Sequence, residues 1–389
     1  MPSPGWSVAK AAQSTEGEIE LPGGGDAVDT LPVPTSPGQL SADWLTFALN
    51  EGGFAGAVVS DIEVSPLDAT SGNSGSYAIV KLAYSNRAEG APESLFAKMT
   101  AESFRGFLGN SHVREIAAYK EYLPILGISV PRLYYGVAQP EGGPAILLLE
   151  DMSAHRLGDF NVGATEAEIA ATVATLVKIH SPYWGNEQLI HDDRLLIDTY
   201  AGEHSTYQNS EFLAGLAAGI PEDERLSDYI ARTLALIGEG FEALGARIMA
   251  SPRTLAHTDF RIDNLLYSGP PAEPEVTVFD WGVVGSLRGT YDLASFLTSA
   301  YMPTCKNAAQ DPIDMYYREL LEAGVTGYLC EDLKVDYATA ALLMLHRRVT
   351  GIHWAKIKQA PDQVLAMRRT GLHRCARHIE LLRLADILD

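Results

Sequence analysis

The sequence predicts an α+β fold in which a small antiparallel sheet is followed by a larger helical region. Between residues 56 and 151, β-branched or alternating runs are separated by Gly, Pro and Asn turns, a pattern typical of antiparallel strands. After Asp151 the apolar residues recur at helical spacing instead. Because 389 residues are too many for one ordinary core, we expect the two patterns to form two packed regions.

The N-terminal part of the chain contains an arm and then the strand-rich region. Residues 1–40 are rich in Gly, Pro, Ser and Thr, and we expect a partly ordered arm there. Residues 41–151 begin with a short helix capped by Ser41. The strand runs follow, interrupted by one helix over the segment SHVREIAAYKEYLPIL.

Residues 152–389 are predicted to be mainly helical. Thr165 and Glu168 have the spacing of a capping box at the start of the first helix. Further helical patterns recur near 223–250, 290–301, 331–349 and 363–387.

Composition excludes several classes of protein and partner. A hydrophobic content of 46% and a charged content of 20% are typical of a soluble globular protein. No apolar run approaches the roughly 18 residues of a membrane span, and the N-terminus lacks the pattern of a secretory signal. The three cysteines lie far apart, which fits a reducing cytoplasm. The net charge of −21 disfavours nucleic acid and anionic membranes as partners.

One segment concentrates groups that can carry chemistry. The run AHTDFRIDNLLY is followed, after a Gly-Pro-Pro turn, by EVTVFDWGVVG. A hairpin with these two strands can bring Asp259, Asn264 and Asp280 around one point. Oxygen ligands of this kind suit Mg²⁺, which can hold phosphate oxygens while one carboxylate takes a proton from an alcohol.

Three other interpretations of the segment remain open at this level. Asp and Asn side chains in turns often do no more than cap backbone groups. A metal-dependent hydrolase could use His257, Asp259, Asp263 and Asp280 as ligands. A nucleotide-binding module without turnover is the third possibility, although every catalytic position holds a competent residue.

The motif H-x-D-x₄-N followed by D-x-G resembles that of the protein-kinase-like superfamily. The chain has HTDFRIDN, which is similar to the H-G-D-x-R-x-D-N of the aminoglycoside phosphotransferase and ecdysteroid-kinase-like branch of small-molecule kinases. Thr258 stands where that branch commonly has Gly, a departure that concerns backbone geometry. The likeness covers about residues 56–300 and implies a protein-kinase-like two-lobed fold, with a small antiparallel sheet N-lobe and a larger helical C-lobe.

This resemblance implies a role for each residue of the motif. Asp259 would be the catalytic base that orients the acceptor hydroxyl, and Asn264 and Asp280 would bind Mg²⁺. Arg261 would either contact the transferred phosphate or form a salt bridge to Asp263 or Asp280. His257 would support the backbone of the loop, and Asp292 would hold the loop from the following helix.

The same resemblance implies an ATP site in the sheet region. Lys98, in SLFAKM, would contact the α- and β-phosphates, and Glu115 on the next helix would be its ion-pair partner. Backbone N–H groups of Asn73, Ser74, Gly75 and Ser76 would face the phosphates. The backbone from Glu150 to Met152, which links the two lobes, would meet the adenine edge.

The acceptor is expected to be a small-molecule alcohol. No A-P-E sequence follows Asp280, so the chain lacks the platform on which protein kinases bind peptides. The Arg and Lys content of LLMLHRRVTGIHWAKIK disfavours a polycation pocket there. We therefore expect a neutral, fairly apolar hydroxylated metabolite in preference to an aminoglycoside. The sequence leaves the choice between ATP and GTP and the oligomeric state open.

Overall fold

The structure is a computed structural model that describes residues 31–67, 75–100, 111–139, 143–195, 226–357 and 359–388. The chain divides into two units, Met1–Pro32 and Val33–Asp389, and the fold is that of the second unit. Asn73 and Ser74 lie outside the described residues.

An antiparallel five-stranded sheet forms the first half of this unit, with the strand order β1-β2-β3-β5-β4. The strands are β1 (Val58–Leu67), β2 (Gly75–Asn86), β3 (Ser94–Thr100), β4 (Leu133–Ala138) and β5 (Ala145–Glu150). In β3, Leu95, Ala97 and Met99 belong to a buried apolar core. Side chains alternate along a strand, so Phe96 and Lys98 point to the opposite face.

Two helices accompany the sheet. The helix α1 (Ala42–Glu51) begins at Ser41, whose hydroxyl accepts a hydrogen bond from Trp44 N, and it packs into the core of the sheet. The helix α2 (Ser111–Ala117) continues as a π-helical turn over Ala118–Tyr122 and a 3₁₀ turn over Leu123–Ile125. The single helix predicted here is therefore a helical segment that changes its winding, and Pro124 lies in the final turn.

The second half is helical. Its helices are α3 (Glu166–His180), α4 (Asp228–Ile248), α5 (Thr290–Ala300), α6 (Lys306–Glu322), α7 (Cys330–Ile357) and α8 (Asp362–Leu382). The capping box of Thr165 and Glu168 is present at the start of α3. The sequence did not predict α6, in which Pro312 lies within the helix. It also ended α7 too early, because this helix continues through Gly351.

Short strands position the motif-bearing loop within the helical half. These strands are β6 (Arg156–Leu157), β7 (Thr254–Ala256), β8 (Leu265–Ser268), β9 (Glu275–Val278) and β10 (Gly285–Leu287). The hairpin of β8 and β9 pairs Leu265 with Val278, and β7 pairs with β10. None of the helices among the described residues is long and apolar enough to cross a membrane.

Candidate active site

Lys98 is the centre of a buried ion cluster. Its Nζ donates to Asp280 Oδ1 at 2.6 Å and lies 2.7 Å from Glu115 Oε2. The Glu115 side chain is 1% exposed, whereas that of Asp280 is 34% exposed. The three residues come from β3, α2 and the segment after β9, so the cluster joins the sheet to the helical half.

The charges in this cluster stabilise one another. Burial by itself lowers the pKa of Lys98, but the negative charges of Asp280 and Glu115 raise that pKa well above its ordinary value. Burial raises the pKa of Asp280, and the ammonium of Lys98 outweighs this effect and lowers it. Asp280 is therefore ionised at neutral pH, and its partly exposed carboxylate can also bind a second cation.

The loop between β7 and β8 carries the other half of the motif. Asp292 of α5 accepts hydrogen bonds from the backbone N–H of His257 at 2.6 Å and of Thr258 at 2.9 Å. Asp259 N donates to His257 Nδ1 at 3.3 Å, so the ring proton lies on Nε2, which donates to Phe279 O at 2.9 Å. Both ring nitrogens of His257 thus hold the backbone on either side of the site.

Asp259 lies between two guanidinium groups. Its Oδ1 is 3.1 Å from Arg261 Nε and 3.1 Å from Arg347 Nη2. Burial raises the pKa of Asp259, but the positive charges of Arg261 and Arg347 outweigh burial and hold that pKa well below its usual range. The carboxylate is therefore a weak base that can accept a hydrogen bond from an alcohol at neutral pH.

Arg261 forms one of the two salt bridges that the sequence left open, the one to Asp263, and it also pairs with Asp259, which was not predicted. Besides its contact with Asp259, its Nη1 lies 3.4 Å from Asp263 Oδ2. The structure thus places the guanidinium beside Asp259 and Asp263. A role at the transferred phosphate would require it to exchange one of these partners.

Asn264 and Asp280 fit the binding of a hard cation. Asn264 Nδ2 donates to Asp259 O at 2.7 Å, which leaves the side-chain oxygen as the atom that can bind a metal. Phe279 N donates to Asn264 O at 3.2 Å, so Asn264 lies across the hairpin from the residue before Asp280. Two protein oxygens suit Mg²⁺, which usually completes its shell with substrate phosphates and water.

A cavity of about 460 Å³ opens beside the Lys98 cluster. Its lining includes Lys98, Glu115 and Asp280, together with Glu150 and Met152. The rings of Tyr77 and Phe96 also line it and are stacked, with centroids 5.8 Å apart and planes at 25°. A flat aromatic wall of this kind suits a nucleobase.

The other residues predicted to contact the nucleotide either do not line the cavity or have a backbone group already hydrogen-bonded within the protein. Gly75 and Ser76 pair with Thr100 and Met99 at the start of β2, and neither is among the described residues that line the cavity. In the linking segment, Glu150 N donates to Arg132 O at 2.8 Å and Met152 O accepts from His155 N at 2.9 Å. Those two backbone groups are engaged within the protein.

Comparison with known proteins identifies the family. Residues 110–332, more than half of the chain, match the family model described as "Phosphotransferase enzyme family" (APH). The chain belongs to this phosphotransferase family. The resemblance inferred from the HTDFRIDN and D-x-G motifs is thereby confirmed. No curated protein sequence matches the chain.

A solved structure of an aminoglycoside phosphotransferase has the same fold. The GDP complex of aminoglycoside 2'-phosphotransferase-IIIa superposes on the phosphotransferase with a TM-score of 0.51 and 11% identity, over 87% of this chain and 99% of that one. Choline kinase from Cryptosporidium parvum Iowa II is also similar, with a TM-score of 0.48 and 14% identity over 84% of this chain and 91% of that one. The predicted kinase-like fold, a small antiparallel sheet followed by a helical half, is confirmed.

Sequence reasoning missed Arg347 of the phosphotransferase. Arg347 lies on α7 and contacts the loop between β7 and β8 at Asp259 Oδ1 and at Thr258 O, the latter at 2.9 Å. It also contacts α5 at Tyr291 OH, at 3.0 Å. The available signal was a pair of arginines inside the otherwise apolar stretch LLMLHRRVTG. Nothing in the local pattern indicates that this stretch packs against residues almost ninety positions earlier.

Proposed function

We propose that this phosphotransferase transfers the γ-phosphate of ATP to the hydroxyl group of a small molecule. ATP would bind in the cavity between a sheet lobe, residues 41–151, and a helical lobe, residues 152–389. The observation that carries the proposal is the contact of Lys98 Nζ with both Glu115 and Asp280, beside a cavity with an aromatic wall. Lysine–glutamate pairs of this kind position nucleotide phosphates in kinases.

The residues of the chain have separable tasks in this reaction. Lys98 would hold the α- and β-phosphates, and the rings of Tyr77 and Phe96 would cover the base. The Met152 N–H and the Glu150 carbonyl would meet the edge of the adenine. Asn264 and Asp280 would hold Mg²⁺, which supplies positive charge to the phosphate oxygens.

Asp259 would orient the acceptor. Its carboxylate accepts a hydrogen bond from the alcohol, whose oxygen forms the new bond to the γ-phosphorus while the bond to ADP breaks. The alcohol proton passes to the carboxylate as the new bond forms. Because the pKa of Asp259 is held low, its main contribution is orientation, which suits a transition state dominated by positioning and electrostatic stabilisation.

The geometry of His257 does not favour a metal-dependent hydrolase. Both of its ring nitrogens are engaged by backbone groups, so His257 would have to give up a bond to become a ligand. Among the described residues, no three His, Cys, Asp or Glu side chains form a metal-binding group.

A single-turnover assay tests the proposal. Wild-type protein is mixed with γ-labelled ATP or GTP, Mg²⁺ and a panel of hydroxylated compounds, and label is followed into the acceptor. We expect ATP to raise the unfolding temperature, and we expect transfer to be abolished in Asp280→Ala, because the metal loses its carboxylate ligand. Release of label only as inorganic phosphate, at equal rates with and without every acceptor, would contradict the proposal.

A further inference from the structure

Arg348, beside Arg347 on α7, has unused hydrogen-bonding capacity. Its Nε and Nη2 are shielded from solvent and have no hydrogen-bond partner within the described part of the chain. Its guanidinium lies 5.1 Å from the centre of the Phe160 ring. Burial, and next the positive charge of Arg261, lower the pKa of Arg348 to about 10. Donors left unsatisfied in this way cost folding free energy, so their presence calls for an explanation, and binding of an anion is one.

Arg348 belongs to a larger group of arginines. Arg368 of α8 lies close to Gly351 of α7, where an added Cβ would be only 2.7 Å from Arg368 Nη1. Its Nε is likewise buried without a hydrogen-bond partner among the described residues. Burial and the charge of Arg261 lower the pKa of Arg368. The charges of Arg348 and Arg368 both interact with those of Arg261 and Asp263.

We define the arginine cluster as Arg261, Arg347, Arg348 and Arg368. The carboxylates closest to it are Asp259 and Asp263, with Asp280 interacting more weakly with Arg261, so among the described residues guanidinium groups outnumber carboxylates. Asp263 Oδ1 is itself buried without a hydrogen-bond partner among the described residues. In a chain of net charge −21, such a local excess of positive charge is not a general property of the surface.

Another arginine of α8 shows what a purely structural guanidinium looks like in this protein. Arg374 is buried, and it donates to the carbonyls of Phe160, Asn161 and Ser299. It joins the segment before α3 to the end of α5. Arg348 packs against the same Phe160 and has no comparable set of acceptors.

The arginine cluster is accessible from outside at Arg347 and Arg261, beside Asp259, whereas Arg348 and Arg368 lie deeper. The side chain of Arg347 is 39% exposed, that of Arg261 is 24% exposed and that of Asp259 is 21% exposed. A small molecule placed with its hydroxyl at Asp259 would therefore have guanidinium groups within its own length.

We propose that the acceptor alcohol carries an anionic group, a carboxylate or a phosphate ester, which Arg348 and Arg368 bind while Asp259 orients the hydroxyl. Guanidinium groups are suited to both anions because their planar donors match two oxygens at once. The inference rests on the proposed phosphotransfer and departs from the neutral acceptor expected from the sequence. It also makes a polycationic antibiotic a poor substrate, because its ammonium groups would face the cluster.

Paired acceptors test the charge requirement. Each pair shares a hydroxyl and differs in the anion: hydroxybutyrate against its amide, and ribose 5-phosphate against ribose, with choline and kanamycin as cationic alcohols. We expect the anionic member of at least one pair to be phosphorylated with a kcat/KM about tenfold or more above its neutral partner. The pair with the larger ratio of anionic to neutral kcat/KM shows whether the site prefers a carboxylate or a phosphate ester.

Variants connect this preference to Arg348. In Arg348→Gln, the KM for the anionic acceptor should rise about tenfold, with little change in kcat or in the KM for the neutral partner. Arg377→Gln is the matched control, since Arg377 is an exposed arginine on α8 and its loss removes the same charge. In the absence of acceptor, Arg348→Met should raise the unfolding temperature, because it removes unsatisfied buried donors. Arg374→Met should lower it.

The outcomes separate this inference from the proposed function. The unfolding temperature is measured with each anion at constant ionic strength, without nucleotide. If nothing is phosphorylated, yet hydroxybutyrate or ribose 5-phosphate stabilises the wild type and not Arg348→Gln, the phosphotransfer fails and the anion site stands.

Several results would overturn the anion site. One is equal, measurable phosphorylation of the two members in every pair, and another is an equal loss of kcat for all acceptors in Arg348→Gln. The same holds if Arg348→Met destabilises the protein as much as Arg374→Met, or if no anion gives Arg348-dependent stabilisation or turnover.

Discussion

The two sides of the site carry opposite balances of charge. Around Lys98, one ammonium group is shared by the carboxylates of Glu115 and Asp280. Around Asp259, the guanidinium groups of the arginine cluster exceed the carboxylates. The side proposed for the nucleotide, hereafter the nucleotide side, therefore lacks positive charge, which a metal ion arriving with the phosphates would supply. The side proposed for the acceptor, hereafter the acceptor side, has positive charge in excess, which an anionic substrate would offset.

The loop between β7 and β8 borders both regions, the Lys98 cluster and the arginine cluster. His257 and Asn264 fix the backbone between the two sides by hydrogen bonds to Phe279 and Asp259. Under the proposed function, the carboxylate of Asp280 on one side would act on a metal, and that of Asp259 on the other would act on an alcohol. A substitution on one side should accordingly change the property of that side, nucleotide binding or transfer to the acceptor, and leave the other side intact.

The largest effect is expected for Asp259→Asn, which acts on the acceptor side. Transfer should fall by about 10²–10⁴-fold, because the neutral amide loses the charge that orients the hydroxyl and cannot take its proton. ATP affinity, measured by calorimetry, should stay close to that of the wild type because the Lys98 cluster is untouched. Near-wild-type transfer to every accepted substrate would show that Asp259 does not have this role.

The next largest effect is expected for Lys98→Ala, which acts on the nucleotide side. It removes the partner of Glu115, a carboxylate that is 1% exposed, so ATP affinity and transfer should both decrease, by about tenfold or more. Glu115→Ala should have the same effect to a smaller degree, because Lys98 keeps its contact with Asp280. Equilibrium binding and single-turnover rates measure both quantities. Unchanged values in Lys98→Ala would mean that the cavity is not the nucleotide site.

The nucleotide side should also contribute to the pH dependence of stability through His112. Burial, and next the charge of Lys98, lower the pKa of His112 to about 4 from 6.5. The unfolded chain therefore binds more protons between these values, and the contribution is complete above pH 6.5 and is lost as the pH falls towards 4. At pH 5 the loss should be about 1–2 kcal/mol.

His112→Leu provides the comparison for that pH effect. Urea unfolding at pH 5 and pH 7 should show a smaller difference in the free energy of unfolding for the variant than for the wild type. Another buried histidine with a lowered pKa, His378, is unchanged in the variant and accounts for a remaining slope. An identical difference in both proteins would exclude His112 as a source.

The smallest effect is expected for Thr258, which lies between the two sides. Its φ of 63° is in the left-handed region, which disfavours a β-branched residue, while its hydroxyl donates to Val283 O. In Thr258→Gly the relief of strain and the lost hydrogen bond should nearly cancel, with a net change within about 1 kcal/mol. Thr258→Ala loses the bond without the relief, so it should unfold at a lower temperature than Thr258→Gly. The reverse order would show that the backbone there is unstrained.

The local patterns of the sequence identified the residues that carry the motif. The run SLFAKM was predicted to be a strand that carries Lys98, and it forms β3. The predicted hairpin of β8 and β9 brought the Asn264 and Asp280 segments together. Both inferences succeeded because strands and hairpins are decided by residues that are close in the sequence. The helix α6 was missed because Pro312 reads as a helix breaker.

Tertiary packing alone decided what surrounds those residues. Arg347 reaches Asp259 from a helix 88 positions further along the chain, and Arg348 meets Phe160 across the helical half. Helical periodicity shows which positions share a face of α7, but the partner of that face depends on how all the helices pack. The sequence by itself therefore determined the family, the fold and the motif. The charge around Asp259, on which we propose that the choice of acceptor depends, was set by contacts between distant elements that no local pattern encodes.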